Sequence, residues 1–132
     1  MRFRPAQTMV EFALVVSIFL LLLFALLQLS LALLTYNSVS FAAREAARYG
    51  MVHGPNSPSP ASSLEIQQIA INAAPSLGLT ASNVNINWLT DPNLPAKQDI
   101  QVQITYSYQF QIPFVTPVKA SFVSTSQLIV AQ

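Results

Sequence analysis

Residue types and spacing suggest a chemical event at one short stretch, around Ala6, Gln7 and Glu11. Ala6-Gln7 is a small–polar junction behind a basic leader that carries Arg2 and Arg4. A cut after Ala6 would leave a new amine on Gln7, about one helical turn from the Glu11 carboxylate. In a bundle of parallel helices offset along their axes, that amine could instead reach the Glu11 of a neighbour. A carboxylate dragged to mid-bilayer costs up to ~3 kcal/mol, so a cationic partner would give each subunit a preferred register. A second account needs no neighbour. Thr8-Met9-Val10-Glu11 matches a capping box, with Thr8 at the N-cap and Glu11 reaching back to its backbone. An acid near a helix N-terminus is also favoured by the dipole.

Elsewhere the chain is poor in chemistry. The sole histidine, His53, falls in a proline-rich stretch and reads as a solvated loop residue. One histidine with few carboxylates makes no zinc site, and the absence of cysteine excludes disulfides, thiolate ligands and thiol nucleophiles. Asp91 and Asp99 flank a turn, which explains both without catalysis. The three glycines form no phosphate loop, and no serine has a histidine partner in a plausible context. The expectation is a chain that is not an enzyme, with no catalytic residue, cofactor, metal or small-molecule substrate. Charged residues make up 8% of the chain, against ~25% in ordinary soluble proteins. Beyond Leu34 the positives Arg44, Arg48, Lys97 and Lys119 cancel Glu45, Glu65, Asp91 and Asp99, which argues against capture of nucleic acid.

These residues must be positioned by a few elements. Residues 6–34 form a long apolar run, uncharged from Phe12 to Leu34. As a helix, residues 12–34 would reach roughly 34 Å, enough to cross a ~30 Å hydrocarbon core. Arg2 and Arg4 ahead of the span favour a cytoplasmic N-terminus. Residues 35–49 are rich in helix formers, and Gly50 stands where a C-terminal cap would. Tyr36, Val39, Ala43, Ala46 and Ala47 share one face, while Arg44 and Arg48 lie on another, where Glu45 can pair with Arg48. The small residues would let another helix or the sheet approach closely, with Arg44 and Arg48 pairing across the contact. The bland alternative is an amphipathic stalk with solvated arginines.

Prolines 55, 58 and 60 mark an extended linker. Ser62 or Ser63 can cap a short helix over 64–74, with Leu64, Ile66, Ile69, Ala70 and Ala73 as its buried stripe. The remainder alternates with period two. Val84, Ile86 and Trp88 mark a first strand, residues 100–112 a second, and Ala120, Phe122, Leu128 and Val130 a third, with a phase break near 124–126. The uncharged outer face of the second strand, Gln101 to Gln111, is either solvated or a lateral contact surface. The expected fold is α+β: a long transmembrane and stalk helix, a short second helix and a small three-stranded antiparallel sheet. The expected divisions are a leader at 1–6, the long helix at 7–50, a linker at 51–63 and an extracytoplasmic domain at 64–132. About 70 residues without disulfides would need help from the stalk or from neighbouring subunits.

Two blocks resemble the TadE-like family, the pseudopilins of the tight-adherence (Flp-type) pilus. Ala6-Gln7-Thr8-Met9-Val10-Glu11-Phe12 is similar to its prepilin-peptidase signature: a small residue, four variable residues, then glutamate and an aromatic. Tyr36-Asn37 with Ala42-Ala43-Arg44-Glu45-Ala46-Ala47-Arg48-Tyr49-Gly50 is similar to the block that follows its membrane span. The chain departs in having Ala6 where glycine is usual and Phe12 where tyrosine is frequent. The resemblance implies a pseudopilin or minor pilin-like component, trimmed by a prepilin peptidase between Ala6 and Gln7 and registered by Glu11. Its partners would be the membrane, that peptidase, and other pilins or pilus-assembly proteins. Its place would be the cytoplasmic membrane, N-terminus inside, with the pilus as a further location. The rival reading is an anchored or secreted binding module with no filament role, released in its secreted form at Ser30-Leu31-Ala32.

Overall fold

In the computed structural model, residues 5–91, 94–113 and 116–130 are described. The leader positions Arg2 and Arg4 and the turn residue Pro92 lie outside them, and at Ala6 only the backbone is described. Helix α1 spans Pro5–Val52, 48 residues, or about 70 Å. Its sequence contains no proline after the opening Pro5 and no glycine before Gly50, so nothing local interrupts it. Four hydroxyls along it are satisfied by their own helix: Ser17, Ser30, Thr35 and Ser38 each donate to the carbonyl four residues back.

Helix α2, Ser63–Ala73, begins with a full capping box. The Ser62 backbone N–H donates to Glu65 Oε2 at 2.7 Å, and the Glu65 N–H donates to Ser62 Oγ at 3.3 Å. A short 3₁₀ turn at Pro75–Leu77 ends at Gly78, whose φ of 58° lies in the left-handed region. Strands β1 (Val84–Asp91), β2 (Leu94–Phe110) and β3 (Val118–Ile129) follow, in the spatial order β1-β2-β3 and antiparallel throughout. This is the α+β architecture expected of the sequence.

The core lies between the sheet and the two helices. Ile100, Val102 and Ile104 of β2 are completely buried, opposite Val39, Ala42, Ala43, Ala46 and Ala47 of α1 and Ile66 and Ala70 of α2. The long helix therefore supplies one wall of the core instead of only carrying a domain. That is how so short a sheet closes without disulfides.

Five local expectations need correction. Helix α1 runs through Gly50, so this glycine is no cap: a Cβ there would overlap Ile100 Cδ1. Residues 53–62 are not extended. The Ala61 N–H donates to His53 O at 2.9 Å and Ser57 N–H to Gly54 O at 3.0 Å, which draws the loop into a closed Ω-like shape. On α2, Leu64 is 74% exposed; it sits about 200° round the helix from Ile66, away from the core line of Ile66, Ala70 and Ala74. Strand β3 has no phase break, because Ser124 and Ser126 occupy inward positions in an unbroken register with Ile104 and Val102. The irregularity lies between Thr90 and Asp91, where the β1–β2 register shifts from Gln98 to Leu94. Strand β2 also begins earlier than expected, at Leu94, and ends at Phe110.

Candidate functional site

Helix α1 divides into two surfaces. In its C-terminal half the small residues turn inward: Ala42, Ala43, Ala46 and Ala47 are fully buried against α2 and the sheet of the same chain. Arg44 and Arg48 point outward. Arg44 Nε donates to Ser40 O at 3.2 Å, within its own helix. Among the described residues no ion pair joins Glu45 to Arg48, although both line one shallow hollow with Tyr49 and His53. His53 is half-buried and not the solvated loop residue expected. Its ring stacks on Tyr49 at 4.3 Å, and Nδ1 lies 3.1 Å from Tyr49 O, where an N–H donates to one of the last carbonyls of the helix.

The N-terminal half is bare. Large apolar residues from Met9 to Leu27, including Phe12, Phe19 and Leu22, are exposed at 40–76%, apart from the half-buried Val16. Gln7–Val52 is a helix long and apolar enough to cross a membrane, and none of its most apolar window is buried within the chain. So large an exposed apolar surface marks a lipid or protein contact. One N-terminal apolar helix of this kind fits a single-pass membrane anchor. Glu11 sits exposed in this surface, without a partner among the described residues. Since the helix is already under way at Pro5, Thr8 lies inside it and is not its N-cap. Ala6 and Gln7 lie in its first turn, and Gln7 is exposed.

Between the two halves lies a junction that the sequence reading passed over. The Gln28 side chain donates from Nε2 to Gln111 O at 2.9 Å, and its Oε1 accepts from Tyr108 OH at 3.1 Å. Above it, Tyr36, Tyr108, Phe110 and Phe122 form a chain of ring contacts with centroids 4.9–6.0 Å apart. The signal was in the sequence: Gln28 is the sole carboxamide between Phe12 and Leu34. An amide in so apolar a run needs a partner.

Among the described residues no three of His, Asp or Glu come together as a metal site. The surface is one for lipid and protein contact.

The family model described as TadE-like protein matches residues 6–48, the bare half of α1 and most of its packed half. It is the Tad pilus-associated family, structural in role, that the two sequence blocks resemble. No curated protein and no solved structure matches the chain.

Proposed function

We propose, from the premise that residues 6–48 of this Tad pilus-associated chain are TadE-like, that it is a pseudopilin or minor pilin-like structural component of a tight-adherence pilus or a related secretion system. A prepilin peptidase trims it between Ala6 and Gln7, and Glu11 then sets the register of neighbouring subunits in the cytoplasmic membrane. The C-terminal domain faces away from the cytoplasm. One observation carries this reading: Glu11 stands partnerless among the described residues, on an unbroken apolar helix already formed at Pro5. A carboxylate in such a surface needs a cation, and a new amine on Gln7 of an axially offset neighbour supplies one. The buried alanine face supports the division of labour. Because Ala43, Ala46 and Ala47 are used within the chain, the surface left for other subunits is the N-terminal half, with Arg44 and Arg48 on the outer side of the stalk.

Intact mass and N-terminal sequencing of the protein from its native membrane test the reading. A chain starting at Gln7 is the expected result. A chain that keeps its leader when the prepilin peptidase is present would overturn the processing step and leave an anchored accessory protein.

A further inference from the structure

The β2–β3 end of the sheet lies beside the apolar helix, not above it. Pro113 shares a hollow with Ser17, Leu20, Leu21 and Phe24, four residues of the bare half of α1. The apolar residues of this end are incompletely covered: Phe110 and Pro113, which border hollows on α1, are half-exposed, as is Ile112, and Val118, paired with Phe110, is 56% exposed. The connection, residues 111–117, carries no charged side chain. A second hollow, lined by Leu29, Leu33, Tyr36, Phe110 and Phe122, is wholly apolar.

We propose that this sheet end is a lipid-contact element, seated in the interfacial zone of the leaflet on the C-terminal side of the span. The proposal rests on the membrane-anchor reading of α1 and adds where the bilayer ends. From Gln7 to Leu27 the helix rises about 30 Å, which alone matches the ~30 Å hydrocarbon core. The hydrocarbon boundary then falls at Gln28, whose amide is satisfied by the sheet, and not at Leu34. Leu20 and Phe24 lie about 6–12 Å further along the axis, so a tip beside them enters the leaflet to the ~5–10 Å depth of interfacial elements. The ring chain of Tyr36, Tyr108, Phe110 and Phe122 begins at the Gln28 boundary through Tyr108 and runs on to its water side, the zone where aromatic side chains are favoured. Gln28 also caps Gln111 O, a backbone carbonyl beyond the last β2 pair that lipid would leave unsatisfied. A bilayer is favoured over a second copy as the occupant because the tip adjoins the same apolar helix that the lipid must surround.

The chain has no cysteine, so single labels are clean. Val118→Cys, Leu22→Cys and Asn87→Cys, in the full chain, would each carry an environment-sensitive fluorophore in nanodiscs of phosphatidylcholine and phosphatidylglycerol at one protein per disc. Bromination of the upper acyl carbons supplies the quencher. Leu22 reports the span, and Asn87, exposed on the outer face of β1, reports water. The expected result is strong quenching at Leu22, none at Asn87, and about half the Leu22 effect at Val118, in line with its interfacial depth. A Val118 label as unquenched as Asn87, with Leu22 still quenched, overturns the proposal and leaves the anchor standing. Quenching lost at Leu22 as well overturns both. Protection of Val118 from a water-soluble thiol reagent without bromolipid quenching would also overturn it, in favour of a protein contact.

Discussion

Gly50 provides the sharpest test of how α1 meets the sheet. A methyl group at this position would overlap Ile100 Cδ1 and stand 3.3 Å from Ile66 Cδ1. The Ile100 backbone is held, because β2 is the central strand and is paired at this residue with both Trp88 and Leu128, so only the tip of its side chain can give way. Gly50→Ala should therefore lose about 1–3 kcal/mol to overpacking and regain about 1 kcal/mol of helix propensity. Ile100→Val, which removes the overlapping Cδ1, should cost about 0.5–1.5 kcal/mol alone. In the double variant the new methyl would meet a γ carbon at the place of Ile100 Cγ1, an ordinary 3.5 Å away, so the two losses should not add. A coupling of about 1 kcal/mol or more is expected, well outside the ~0.5 kcal/mol scatter of independent sites. Urea unfolding of the full chain in detergent, followed through Trp88, the single tryptophan, reads all four corners of the cycle. Additive losses would refute the close approach and return Gly50 to the role of a helix terminator.

Three further outcomes follow from the same contacts. Gln28→Leu removes both hydrogen bonds at the junction, so exchange of the backbone amides at residues 108–112 should accelerate by an amount corresponding to about 1–3 kcal/mol. Unchanged protection there would show that the sheet end does not depend on this side chain. Ser62→Ala should cost about 0.5–2 kcal/mol of unfolding free energy through the lost capping box of α2, read from the shift of the urea midpoint. Glu11→Ala should leave that midpoint within about 0.5 kcal/mol of the parent, because the carboxylate touches no described part of the domain. The same variant should lower self-association in the membrane, measured by cross-linking, and undiminished cross-linking would sink the register role.

Much of the fold is legible locally. An apolar stretch without glycine or proline has one good conformation, so α1 follows from composition. Ser62 and Glu65 announce their helix because a capping box is complete within four residues. The even-numbered positions of β2 and β3 face inward because side chains alternate on a pleated strand, and even the serines at 124 and 126 obey that rule. The error there came from reading polarity as a break in phase, when a small hydroxyl is tolerated at a half-buried position.

What escaped the sequence are pairings between distant residues. Gly50 and Ile100, Gly54 and Val130, and Gln28 and Gln111 each lie more than forty positions apart. Gly54 is buried because Val130 packs where its Cβ would be, and nothing near His53-Gly54-Pro55 hints at that neighbour. Spacing within single segments was enough to read the two helices, the three strands, most of their inward faces and the TadE-like character of residues 6–48. Which wall the alanine face of α1 builds, and that the sheet holds Gln28, came from the folded arrangement alone. Both depend on the rotation and height at which the sheet docks on the helix, and no local preference encodes either.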